Sequence, residues 1–158
     1  MSPPLFMDMF GRQLSWASLY LDPSFTIAAW SAWTGVVWTH GAVADGLSWS
    51  ASSANITVDV AGTYWINGHI TINLTLAPSG ETFFGTRLAN NGSLIDGSSS
   101  RDTFTHVAAA RGTTLNSPAI VELAKGDVIQ AQYYVARAGT DAWVVLTGYT
   151  NLQLLRIG

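Results

Sequence analysis

The sequence predicts an all-β domain of the sandwich, jelly-roll or barrel type. Ser, Thr, Gly, Val and Ile dominate most of the chain, so helix propensity has nowhere long to act. Apolar and polar residues alternate with period two, most clearly between Tyr64 and Leu76. Turn signals divide the chain into about eight to ten short runs, the spacing typical of such architectures. With 158 residues the chain is one domain by length, and long enough to bury a sizeable core.

Residues 1–24 read differently. Leu5, Phe6, Met7, Met9, Phe10, Leu14, Trp16, Leu19, Tyr20 and Leu21 crowd between Pro3-Pro4 and Pro23. A helical stripe fits Gln13–Leu21 loosely. An arm this apolar is costly to leave in water. Either it folds back on its own domain or it docks onto something else; docking outside its own domain is the expectation, which divides the chain into an anchoring arm, 1–24, and a β domain, 25–158. Asp8 and Arg12 interrupt the apolar run and no basic segment precedes it, so it is not expected to act as a secretory signal. No uncharged apolar stretch reaches the roughly 18 residues that a spanning helix needs, so membrane insertion is not expected.

Within the β domain, Asn55–Val60 alternates and Ala61-Gly62-Thr63 interrupts it. A long strand follows. Tyr64, Ile66, Ile70, Ile72, Leu74 and Leu76 fall on one face, with Gly68 completing it. Trp65, Asn67, His69, Thr71, Asn73 and Thr75 fall on the other. Ala77-Pro78-Ser79-Gly80 is a turn, and Thr82–Ala89 a strand that ends in the hairpin signal Asn91-Gly92. Asp96–Arg101 reads as a loop and Thr103–Ala110 as a weaker strand. Ala119–Leu123 and Val128–Val135 are strands joined by the tight turn Ala124-Lys125-Gly126-Asp127. Arg137–Asp141 is a turn, and Trp143–Leu146 and Leu152–Ile157 close the chain.

These runs carry a resemblance. Asn55–Ile70, NITVDVAGTYWINGHI, resembles the signature of C1q/TNF-like jelly rolls, in which a strand enters a Gly-Xaa-Tyr turn and a long central strand follows. Ile120–Ala131, IVELAKGDVIQA, is similar to the family's second signature, built on Gly-Asp. Asn91-Gly92 stands where the family has a hairpin, and Leu152–Ile157 resembles its closing strand at the trimer axis. The resemblance covers roughly residues 25–158 and implies a jelly-roll sandwich that closes as a homotrimer. It also implies that the outer face of the long strand, with Trp65, Asn67 and His69, meets the symmetry axis. Three His69 rings there would repel one another once charged, so acid is expected to loosen the trimer. With no leader or stalk read in the sequence, the likeness is to relatives encoded by tailed bacteriophages as virion proteins.

The remaining signals are mostly exclusions. Only 11% of residues are charged, against about 25% in an average soluble domain. So few charges suggest that much of the surface faces protein. A net charge of −3, with one Lys and scattered Arg, offers no phosphate footprint, and no nucleic-acid partner is expected. Without Cys there is neither disulfide nor thiol chemistry. His40, His69 and His106 lack metal-ligand spacing, and no nucleophile, phosphate-loop or dinucleotide motif is present. No catalytic residue, cofactor or metal site is therefore expected.

Seven Trp remain to be explained. Trp30, Trp33, Trp38 and Trp49 fit core and interface packing. A sugar-stacking surface is the alternative, with Trp143, beside the turn, as its best-placed residue. The expected function is thus a non-enzymatic, trimeric virion structural protein, attached to other virion proteins through its N-terminal arm. A capsid decoration protein is favoured over a minor tail or fibre component, because the arm is too short for a shaft. A receptor-recognition module that binds a host-surface glycan is the alternative.

Overall fold

Alternating residues build strands on both sides of residue 25. The computed structural model describes residues 14–26, 32–74, 81–104, 111–137, 143–145 and 149–158. Its strands are β1 (Trp16–Tyr20), β2 (Phe25–Thr26), β3 (Thr34–Gly35), β4 (His40–Val43), β5 (Leu47–Ser48), β6 (Ile56–Val58), β7 (Gly62–Leu74), β8 (Thr82–Asn90), β9 (Ser93–Leu94), β10 (Ser100–Phe104), β11 (Arg111–Leu123), β12 (Val128–Arg137), β13 (Trp143–Val145) and β14 (Asn151–Arg156). The described residues contain no helix.

Two antiparallel sheets result, consistent with a β-sandwich. The first runs β11-β7-β14-β1-β4, with β13 beside the far end of β7 and β2 outside β13. The second runs β10-β8-β12-β6-β5, with β3 on β12 and β9 on β8. Their inner faces share one core. Leu19, Tyr64, Ile66, Ile70 and Ile72 come from the first sheet; Ile56, Val58, Phe84, Leu88, Ile129 and Val135 come from the second, and all are buried. Each such side chain stabilises the fold by roughly 1.5–3 kcal/mol. Tyr64 reaches out of the core to donate its hydroxyl to Val60 O at 2.7 Å, and burial pushes its phenol pKa up. Thr86 and Ser117, both buried, share a hydroxyl hydrogen bond of 2.8 Å between β8 and β11. At Gly68 a Cβ would lie 3.2 Å from Leu88, so its hydrogen lets the sheets approach.

The boundary expected at residue 25 is corrected. Residues 14–24 are part of the sandwich: β1 pairs with β14 on one side and β4 on the other. Ala17, Leu19 and Leu21 point into the core, whereas Ser18 and Tyr20 are exposed. That is the period of a strand, and it replaces the helical stripe suggested for Gln13–Leu21. Residues 1–13, the rest of the expected arm, lie outside the described residues, as does the turn at Ala77–Gly80. β11 also begins at Arg111, well before the expected Ala119. Among the described residues β11 pairs only with β7, an edge position where a Pro such as Pro118 is tolerated.

Two turns are tied together by one carboxylate. Asn91 (φ 50°) and Gly92 (φ 81°) form the β8–β9 hairpin in the left-handed region those residues favour, and Gly126 (φ 93°) does the same between β11 and β12. Asp127 accepts hydrogen bonds from Ala124 N–H, Asn90 Nδ2 and Asn91 Nδ2, each at 2.9 Å. The Ala124 N–H first, then the Asn90 amide, hold its carboxyl below the usual range. A depressed folded-state pKa gives stability that is present above the unfolded value, about 4, and lost as pH falls further. Because the group is partly solvated, that contribution is at most about 1 kcal/mol. Asp127→Asn is therefore expected to lower stability at neutral pH and to flatten its decline below about pH 4; urea midpoints measured across that range check it.

Candidate functional site

β7 is an inner strand of the first sheet, flanked along its length by β11 on one side and by β14 and β13 on the other, so its outward side chains have neighbours on both sides. Tyr64, Ile66 and Ile70 are buried inside, while Trp65, Asn67 and His69 are half-buried on the outside. Register then sets their neighbours. Trp65 lies opposite Ile120 and Leu155, and Leu155 lies opposite Trp16. This makes an apolar row across four strands, about 14 Å wide at ordinary strand spacing. Ile120 at its edge is 68% exposed, and Ile157, 53% exposed, borders the row through an N–H bond to Thr63 O.

The next row is Pro118, Asn67, Gln153, Ser18 and Ala42; the third is Asn116, His69, Asn151, Tyr20 and His40. Tyr20 and His40 stack, with ring centroids 5.3 Å apart. Beyond them Thr71 bonds Thr114 at 2.8 Å and Tyr149 O at 3.0 Å. No Asp, Glu, Lys or Arg occurs in the three rows. Within these rows the face grades from apolar to amide-rich, and the nearest fixed charge, Glu122 opposite Thr63 beside the apolar row, accepts from Thr63 Oγ1; a surface of this kind suits protein better than a charged ligand.

A second feature lies on the outer face of the other sheet. A cleft of about 670 Å³ has Phe83 and Gly85 of β8 as its floor. Trp33 and Tyr134 stand on its β12 side, and Ser99, Ser100 and Arg101 on its β10 side. The Trp33 and Tyr134 rings are 5.4 Å apart and tilted by 40°. Arg87 lays its guanidinium 4.4 Å from the Trp33 ring centre and donates from Nε to Gln132 Oε1 at 2.7 Å. Burial lowers the Arg87 pKa.

The expected residues fall out as follows. Trp65, Asn67 and His69 share one outer face. Trp143 belongs to β13, but its side chain lies outside the described residues, as do Trp30 and His106. Trp38 is fully buried and Trp49 packs against the core, as packing requires, whereas Trp33 is 38% exposed beside the cleft. Among the described residues no group of three or more His, Cys, Asp or Glu is placed to hold a metal ion. Sequence reading missed Trp16, Leu155 and Ile120 as neighbours of Trp65. It also missed Arg87 and Tyr134 as neighbours of Trp33, because strand register rather than local pattern brings each set together. Compared with protein-family models and with curated proteins, the chain matches none.

Proposed function

We propose that this chain is a non-enzymatic, homotrimeric structural protein of a tailed-bacteriophage virion, built on a C1q/TNF-like jelly roll. Strand order supports the jelly roll. Counting β1, β6, β7, β8, β10, β11, β12 and β14 as first to eighth, one sheet holds the first, eighth, third and sixth. The other holds the second, seventh, fourth and fifth. That is the order of two interlocked Greek keys. The Gly-Asp turn joins β11 to β12 and the Asn-Gly hairpin follows β8, two local features that support the same reading.

The observation that carries the trimer is the outer face of the first sheet. A face this wide, with an apolar row through Trp65 and few charges, is best covered by protein, and closed cyclic association covers it with copies of itself. Trp65, Asn67 and His69 would then recur three times around the axis. Sedimentation equilibrium is expected to give three times the 16.9 kDa chain mass; a stable monomer at micromolar concentration overturns the assembly. The virion setting rests on the resemblance, with the segment before β1 as the contact with other virion proteins. Capsid decoration is placed ahead of a minor tail or fibre role. Cryo-electron microscopy of particles separates them, since density on the tail alone excludes decoration.

A further inference from the structure

We propose that the cleft on the outer face of the second sheet binds a sugar ring that carries a carboxylate. The cleft lies on the sheet opposite Trp65, so it stays open whether or not the first sheet is covered, and the inference does not depend on assembly. Its volume, about 670 Å³, falls within the range of about 300–1,000 Å³ of small-ligand sites.

The chemistry of the lining selects the class. A pyranose has a flat C–H face, which packs on aromatic rings, and a rim of hydroxyls. Trp33 and Tyr134 supply the rings, set at an angle that leaves a wedge rather than a closed stack. Gly85 lets the Trp33 ring settle onto β8: a Cβ there would stand 3.3 Å from Trp33 Cη2 and 3.6 Å from Ser100 O. Ser99, Ser100 and the Tyr134 hydroxyl can exchange hydrogen bonds with sugar hydroxyls.

Charge selects within the class. Arg101 lines the cleft, and among the described residues no carboxylate lines it and none is paired with Arg101. A guanidinium fork there matches a carboxylate in a bidentate manner. Arg87 acts differently. Its Nε is engaged by Gln132 and its plane lies against Trp33, so it is a positioning residue that fixes the ring wall. An uncharged sugar would use the rings and hydroxyls alone and leave Arg101 unanswered.

The test is calorimetric titration of the full chain with trigalacturonate and sialyllactose, against maltotriose and lactose as uncharged counterparts. At least one carboxylated sugar is expected to bind about tenfold tighter than its counterpart, the worth of one charge-assisted pair. Arg101→Gln is expected to remove that preference and leave uncharged binding as it was. Trp33→Ala is expected to abolish binding of both kinds, with the thermal midpoint reporting that the fold survives. Gly85→Leu, which displaces the Trp33 ring, is a second blocking variant. Absence of saturable binding by either carboxylated sugar overturns the proposal. So does equal affinity for charged and uncharged sugars, or unchanged carboxylate binding in Arg101→Gln.

Discussion

A chain lacking residues 1–24 is expected to lose cooperative folding altogether. β1 sits between β14 and β4, and its removal takes Ala17, Leu19 and Leu21 out of the core. Each missing Leu is worth about 2–5 kcal/mol even when only truncated to Ala. The loss also turns β14 into an edge and opens Leu152 and Leu154, both buried, to water. Five residue pairs with β14 and four with β4 go with it. Against a net stability of about 5–15 kcal/mol, that sum leaves nothing folded. Point variants separate the strand from a mere tether: Leu19→Asp puts an unpaired charge in the core and is expected to unfold the chain. Ser18→Ala, on the exposed side, is expected to stay within about 0.5 kcal/mol. Near-ultraviolet circular dichroism during urea unfolding reads all three. A truncated chain that melts cooperatively at the full chain's midpoint would return residues 14–24 to the role of a detachable arm.

That correction shows what was legible in the sequence and what was not. Between Tyr64 and Leu74 the alternation is long and the apolar face is filled with Ile and Tyr, so both the strand and its inward face can be read directly. Turns are equally local: Asn91-Gly92 and Gly126 need backbone angles that few other residues accept. In β1 the inward set is only Ala17 and Leu19, with Leu21 just after it, while the outward set includes Trp16 and Tyr20. With apolar residues on both faces, the period disappears. β11 was obscured in the opposite way, since inward Ser117 is polar and finds its partner, Thr86, only across the sandwich. The sites are less legible still. Trp65 was visible as an aromatic on a polar face, but Ile120, Leu155 and Trp16 join it through register. Trp33 meets Arg87 and Tyr134 only because β3 pairs with β12, which pairs with β8.

Trp65→Arg is expected to convert the proposed trimer into folded monomers. The site is half-buried on the outer face, between Ile120 and Leu155 in the row that ends at Trp16, so the substitution leaves the sandwich core intact. A central Trp in a protein interface contributes about 2–4 kcal/mol. Cyclic symmetry triples that loss, because each copy gives up the same contact. It also sets three guanidinium groups near one axis, where they repel one another; the nearest carboxylate, Glu122 on β11, is already engaged by Thr63 Oγ1. Summed over three protomers, this is roughly 6–12 kcal/mol before repulsion, enough to raise the dissociation concentration by many orders of magnitude. Asn67→Ala, one row further along the same strand, removes an amide from the mixed part of the face and is expected to weaken the trimer without dissolving it. Sedimentation velocity measures the mass, and circular dichroism confirms that the sheets persist. If Trp65→Arg sediments as a trimer identical to the parent chain, the first sheet's outer face is not the contact surface. The search for one then moves to the second sheet, where the same experiment on Trp33→Ala would tell whether the cleft meets a copy of the chain instead of a sugar.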